Sequence, residues 1–240
     1  MEIKYFHKEE IHNTSSAKII LPLVLDLINP KSVLDVGCGI GTWLSVAKDS
    51  GILDLLGVDG DYVDRALLSK YLMESEFESH DLTQPLELGR KYDLCICLEV
   101  AEHIPEYAAN TLVDSLKKYS DVILFSAAIP GQGGQNHLNE KWPAYWAEKF
   151  SKNGYVFLDI IRPLIWNNSK VDFWYKQNIF LVVKESHELA VKFPSSSLSL
   201  VHPELYNTKN KIFENRIAHL EKQLKVHPLK RWLSKIVSKK

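Results

Sequence analysis

The stretch Val33-Leu34-Asp35-Val36-Gly37-Cys38-Gly39-Ile40-Gly41-Thr42-Trp43-Leu44 decides the fold. Apolar residues around a single Asp predict a buried strand that begins near Ser32. A G-x-G-x-G loop follows at once, and then a helical pattern. Gly37, Gly39 and Gly41 let the backbone turn tightly and approach a ligand without Cβ clashes. Such a loop offers its N–H groups and a helix N-terminus to whatever sits above it. A nucleotide-like cofactor is the natural occupant, although an ordinary strand-to-helix turn has the same glycines. Two features sharpen the choice. Thr42 stands where a dinucleotide fingerprint carries Gly or Ala. A second apolar run, Leu55-Leu56-Gly57-Val58, ends in Asp59. That carboxylate, at the tip of the neighbouring strand, can accept hydrogen bonds from both hydroxyls of a ribose.

The segment VLDVGCGIGTWL (33–44) followed by GVDGD (57–61) resembles the class I S-adenosylmethionine-dependent methyltransferases. The resemblance covers roughly residues 30–185. It implies that Gly37, Gly39 and Gly41 approach the methionine and ribose portions of the cofactor. Asp35 would orient the loop and the aminoacyl end, and Asp59 would take the ribose diol. Asp81, in His80-Asp81-Leu82, matches the family's acidic residue that binds the adenine amino group, with a turn-forming Asp as the alternative. The sulfonium is already an activated electrophile, so the protein must supply alignment and a competent nucleophile.

Bulk properties agree with a globular enzyme. The chain has 240 residues, 45% hydrophobic and 25% charged, enough for one domain with a full core. No apolar run approaches a membrane span. Met1–Glu10 mixes charges of both signs without an apolar signal core, so the expected location is cytoplasmic. Cys38, Cys95 and Cys97 fit a reducing compartment and read as buried thiols. The net charge of −1 hides an asymmetry: from Lys209 to Lys240 there are ten Lys or Arg against two Glu. The body is therefore acidic and the tail basic, which argues against a large nucleic-acid footprint on the body.

The periodicity predicts a helix over 13–29, capped by Asn13 or Thr14 and kinked or broken at Pro22. Strands are expected at Ser32–Val36, Leu55–Val58, Phe77–His80, Tyr92–Leu98, Val122–Ala127, Tyr155–Ile161 and Asn178–Val183, with helices at Pro105–Lys118 and Trp142–Asn153. Alternating strands and helices predict an α/β fold. The expectation is a Rossmann-like seven-stranded, mostly parallel sheet with helices on both faces and a C-terminal helical tail. The polar, Trp-bearing loop Arg162–Gln177 can reverse the chain, and the methyltransferase resemblance implies that the last strand runs antiparallel. Expected domains are a methyltransferase-like domain over 1–186, a Ser/Pro-containing linker over 187–208 and a basic amphipathic tail over 209–240. Phe213, Ile217, Leu220 and Leu224 form a narrow helical seam, and Leu229, Trp232, Leu233, Ile236 and Val237 a second apolar face after Pro228. Such a tail suits an anionic membrane surface at the inner face of the membrane, its own body, or a homodimer partner.

A second constellation, Glu99-Val100-Ala101-Glu102-His103, follows the fourth strand. The Gly-rich run Ile129-Pro130-Gly131-Gln132-Gly133-Gly134-Gln135-Asn136-His137 follows the fifth. Both should reach the C-terminal sheet edge, where open α/β sheets bind ligands. The E-x-x-E-H…H pattern looks like the ubiquinone-pathway O-methyltransferases and the small-RNA 3′-terminal 2′-O-methyltransferases. In that likeness Glu99, Glu102, His103 and His137 hold a divalent cation, Mg²⁺ or Mn²⁺ ahead of Zn²⁺. Glu99, at the strand tip near the transferred methyl, also counts as a cofactor contact. The metal-free alternative keeps Glu102 as a helix cap and gives His103 or His137 the role of general base.

The run 125–146 resembles bacterial and viral methyltransferases associated with surface-glycan biosynthesis, an analogy at the family level. Trp142, Tyr145, Trp146, Trp166 and Trp174 suit stacking on sugars, or core packing. Asn139, Glu140, Asn167 and Asn168 suit polar contacts to sugars. The expected acceptor is a glycan or sugar-nucleotide hydroxyl. A small phenolic or quinone precursor and an RNA 3′ end are the alternatives, and a non-catalytic cofactor-binding scaffold is the alternative of another class.

Overall fold

The structure is a computed structural model that describes Tyr5, His7 and residues 11–226. In chain order the elements are α1 (Ala17–Ile28), β1 (Ser32–Val36), α2 (Thr42–Asp49), β2 (Asp54–Asp59), α3 (Arg65–Leu68), β3 (Phe77–Ser79) and β4 (Leu94–Leu98). There follow α4 (Ala109–Tyr119), β5 (Val122–Ser126), α5 (Pro143–Ser151), β6 (Tyr155–Leu158), α6 (Arg162–Ile165), α7 (Phe173–Asn178), β7 (Phe180–Lys184), α8 (Glu188–Lys192) and α9 (Pro203–Val226). The strands form one seven-stranded sheet in the order β3-β2-β1-β4-β5-β7-β6. All neighbours pair in parallel except β7, which runs antiparallel to both β5 and β6. This is the Rossmann-like methyltransferase architecture the sequence predicts. Strands β1, β4 and β5 are buried at every residue, as expected where helices cover both faces. The two faces carry separate apolar clusters, one around Leu44, Ile96 and Leu124, the other around Cys95, Leu112 and Phe125.

Several local expectations change. The first helix starts at Ala17, not at residue 13. Asn13 instead closes a turn by accepting the Ser15 N–H at 2.8 Å, and the Ser16 hydroxyl donates to Asp172 rather than capping. Pro22 does not break α1; it and Lys18, whose carbonyl loses a partner, are both exposed, so water can satisfy that group. The reversing segment between β6 and β7 is partly helical, as α6 and α7. Its start is fixed by buried Arg162, which donates to both Asp159 oxygens and to the Gln177 carbonyl.

The stretch read as a linker, 187–208, contains α8 and the first turn of α9, with Pro203 at a helix start where its missing N–H costs nothing. The chain divides into two compact units between Leu200 and Val201. In the second unit Phe213, Ile217 and Leu220 stay about half exposed along α9. The second apolar face, 229–237, lies outside the described residues. The three cysteines are buried free thiols.

Candidate functional site

The carboxyl ends of β1, β2 and β4 open onto a cavity of about 1060 Å³. Gly37 takes φ +84°, and a Cβ there would lie 2.3 Å from Val100 Cγ2, so only glycine lets the loop pack against the segment after β4. Gly39 lines the cavity; a Cβ on it would meet His7 Nε2 at 2.8 Å. Asp59 also lines the cavity and braces the loop. It accepts the Gly39 N–H at 2.7 Å, the Gly60 N–H at 2.6 Å and the Tyr62 hydroxyl at 2.6 Å. Burial pushes its pKa up, and these three donors oppose that rise. Asp81 lines the cavity while one of its oxygens accepts the Thr83 N–H and hydroxyl, so it is also a turn residue.

Two expected cofactor contacts lie off the cavity. Gly41 serves as the left-handed N-cap of α2, packed against Leu72. Asp35 is sealed beneath the loop, because the Gly37 and Cys38 N–H groups fold over to the Val58 carbonyl. Its Oδ2 has no hydrogen-bond partner, and burial raises its pKa well above the ordinary carboxylate value.

The second half of the cavity is built after β4 and β5. Glu102 is fully buried, and neither carboxylate oxygen has a hydrogen-bond partner. Its backbone carbonyl accepts the N–H groups of Leu138 and Asn139, at 2.8 and 2.9 Å. This pins the post-β5 loop beside it and brings His137 into place. One ligand atom each from Glu102, His103 and His137 lies within 4.8 Å of the others. His103 Nδ1 faces the Asn136 carbonyl at 3.3 Å, and His137 Nδ1 faces Glu140 Oε1 at 2.8 Å. With Nδ1–H donated to the Asn136 carbonyl, the His103 ring keeps its Nε2 lone pair. Glu140 is itself held by the Gly131 and Gly133 N–H groups. Burial, and then His137, lower the His103 pKa to about 4, so the ring is neutral. Burial, and then Glu99, raise that of Glu102 well above the usual range. A buried carboxylate gathered with the two imidazoles of His103 and His137 has the donor set of a divalent-cation site.

Glu99 does not join this cluster. It lines the cavity, but Gln132 Nε2 donates to it at 2.8 Å and Asn178 Nδ2 at 3.0 Å. These amides draw the carboxylate toward β7 and leave three residues at the candidate cation site. The aromatic expectations also divide. Trp174 lines the cavity, whereas Trp142 and Trp166 do not. Trp146 is core, 1% exposed and tilted against Phe125. Asn139 is buried, Glu140 organises the Gly-rich loop, and Asn167 and Asn168 lie off the cavity.

A family model described as a methyltransferase domain matches residues 8–173. The chain belongs to that methyltransferase family. Among solved structures it is similar to the plantazolicin methyltransferase BpumL, solved with a pentazolic desmethylPZN analogue and SAH. The identity is 16% over 71% of this chain and 84% of that one, with a TM-score of 0.51. It is also similar to LaPhzM, at 14% identity over 71% of this chain and 55% of that one, with a TM-score of 0.50. The methyltransferase domain of bacterial CtHen1-CN shares 21% identity over 71% of this chain and 98% of its own, with a TM-score of 0.49. These likenesses concern the fold. No curated protein sequence matches the chain.

Within the methyltransferase domain several site residues escaped sequence reasoning. Tyr62 bonds Asp59, and Tyr5 packs edge-on against His103 with ring centroids 5.1 Å apart. Gln132, Gln177 and Asn178 form a buried amide group behind Glu99. The one available signal was the polar pair Gln177-Asn178 directly before the apolar run of β7.

Proposed function

We propose that the chain transfers the methyl group of S-adenosylmethionine to a hydroxyl of a sugar or surface-glycan acceptor, at a site that also takes Mg²⁺ or Mn²⁺. The observation that carries this reading is the buried carboxylate of Glu102 clustered with the imidazoles of His103 and His137, on the same cavity as the glycine loop. A cavity of about 1060 Å³ has room for a nucleoside-sized donor and a second ligand. Gly37 and Gly39 give the donor a close backbone approach, and Asp59 and Asp81 offer acceptors for its ribose and adenine. Glu102, His103 and His137 would hold the cation, and Glu140 orients His137. A divalent cation supplies Lewis acidity that makes a hydroxyl a better nucleophile near neutral pH. A sugar diol matches this oxygen-seeking donor set, and Trp174 offers a stacking face. A phenolic acceptor is the second reading, favoured by Tyr5, Tyr62 and Tyr175 along the cavity wall.

The experiment is transfer of labelled methyl from S-adenosylmethionine into fractionated cell extract, with EDTA and with added Mg²⁺ or Mn²⁺. Label in sugar-nucleotide or lipid-linked glycan fractions, lost with EDTA and restored by cation, is the expected result. Label in quinone precursors or small RNA would replace the acceptor. Full activity in EDTA would remove the cation and leave His103 or His137 as general base.

No described helix is long and apolar enough to cross a membrane. The proposal for the basic tail is peripheral contact with an anionic membrane surface. The Ser196 N–H donates to the Phe157 carbonyl at 2.7 Å, so the segment up to Leu200 belongs with the sheet. Truncation after Leu200 is then expected to remove binding to anionic liposomes and keep cofactor binding.

A further inference from the structure

Glu99 has a setting that the cation site does not explain. It is a non-glycine residue with φ +53°, a backbone state that costs on the order of 1 kcal/mol or more and persists only where the surroundings enforce it. Its N–H is held by the Ser126 hydroxyl at 3.0 Å. Its carboxylate accepts from Gln132 at 2.8 Å and from Asn178 at 3.0 and 3.3 Å. Behind these, Gln177 Nε2 donates to Gln132 Oε1 at 3.2 Å and to Asn178 Oδ1 at 3.1 Å. Gln132, Gln177 and Asn178 are all buried. The amide chain is directional: N–H groups point from Gln177 toward the two front amides and from those toward Glu99. Donors aligned in series polarise one another and favour a negative end group. Burial raises the Glu99 pKa, and Asn178, Gln132, Ser126 and His137 oppose that rise. Glu99 is thus an aimed carboxylate on the cavity wall, and among the described residues no Lys or Arg forms an ion pair with it.

Its neighbour is the glycine loop. Asp35 pairs with Ile96 in the β1–β4 register, so the loop and Glu99 emerge side by side, and Val100 packs on Gly37. Given S-adenosylmethionine as the donor, the reading on which this step rests, two cations are available: the sulfonium and the α-ammonium. The sulfonium charge disappears in the transition state, so a carboxylate held against it would stabilise the ground state and slow transfer. The ammonium charge persists throughout.

We infer that Glu99 anchors the α-ammonium group of the methyl donor, and that Gln132, Asn178 and Gln177 are positioning residues that aim its carboxylate. The test is isothermal titration of S-adenosylhomocysteine, which carries the ammonium, and of 5′-methylthioadenosine, which lacks the amino-acid portion. The proteins are the wild type, Glu99→Gln, Gln132→Leu and Asn178→Leu. The variants are expected to lose about tenfold or more in affinity for S-adenosylhomocysteine, the size of one charge-assisted hydrogen bond, and to keep methylthioadenosine within about twofold. Equal losses for both ligands would assign these residues to pocket shape alone and overturn the inference. Unchanged S-adenosylhomocysteine affinity in Glu99→Gln would overturn it too, and a raised KM for the acceptor in that variant would move Glu99 to the acceptor. Should Asn178→Leu not fold, Glu99→Gln and Gln132→Leu carry the test. Wild-type protein that binds neither nucleoside would reject the donor itself, a different failure from selective loss in the variants.

Discussion

The two halves of the cavity differ in how their polar groups are satisfied. On the glycine-loop side, Asp59 is already held by Gly39, Gly60 and Tyr62. On the opposite side, Glu102 is equally buried and neither of its oxygens reaches a well-formed hydrogen bond. The first half is a preformed cradle whose hydrogen bonds stabilise the loop without a ligand. The second carries an unpaired carboxylate that costs stability until something positive or protic arrives. One half is built to persist, and the other to be completed.

The largest expected effect tests whether the halves are separable. Glu102→Gln should reduce cation affinity and methyl transfer by more than about 100-fold, since even an outer-shell partner of a metal ligand is worth about 10–100-fold. S-adenosylhomocysteine affinity should stay within about twofold of wild type, a difference of only a few tenths of a kcal/mol. Titration of Mn²⁺ and of the nucleoside into the same preparation measures both. Collapse of nucleoside binding together with cation binding would erase the distinction.

Glu140→Gln comes next. It keeps the shape but weakens the bond to His137, and a loss of about 10–100-fold in Mn²⁺ affinity is expected. An unchanged Mn²⁺ isotherm would reduce Glu140 to a loop brace through Gly131 and Gly133. On the cradle side, Tyr62→Phe removes one of three donors to Asp59. Donor affinity should fall by about three- to tenfold, the worth of one hydrogen bond, with Mn²⁺ affinity unaffected; the same two titrations decide it.

The smallest effect concerns Asp35, which shares the cradle's sequence motif but not its satisfaction. Burial raises its pKa in the folded state above the ordinary 3.8. The stability such a group contributes is present below its unfolded value and is lost as pH rises through the folded one. Asp35→Asn should therefore melt higher than wild type at neutral pH, with the gap narrowing toward about pH 4. Thermal melts across that range check it, and a gap that widens on acidification would contradict the assignment.

The cradle was legible because its parts are local. Val33–Leu44 specifies strand, turn and helix within one contiguous run, and Asp59 follows from the next strand. The candidate cation site was legible in part: Glu102 and His103 are adjacent in sequence, and His137 was anticipated from the Gly-rich loop. Glu99 was read with the cation because its chain position lies beside Glu102, whereas in the structure its side chain accepts from Gln132 and Asn178, on a loop and a helix distant in sequence. The tryptophans were ambiguous for a similar reason, since Trp146 turned out to be core and Trp174 to line the cavity.

The sequence by itself determined the α/β architecture and the glycine loop, because hydrophobic period, glycine conformation and turn chemistry act over a few residues, while the antiparallel last strand followed from the family resemblance. The tertiary structure alone decided which carboxylates are satisfied and which are left bare. Hydrogen-bond partnership is settled by packing between elements far apart in the chain. Asp35, Asp59, Glu99 and Glu102 are the same functional group at or just beyond the carboxyl ends of three strands, and their surroundings give them a sealed, a braced, an aimed and an unpaired carboxylate.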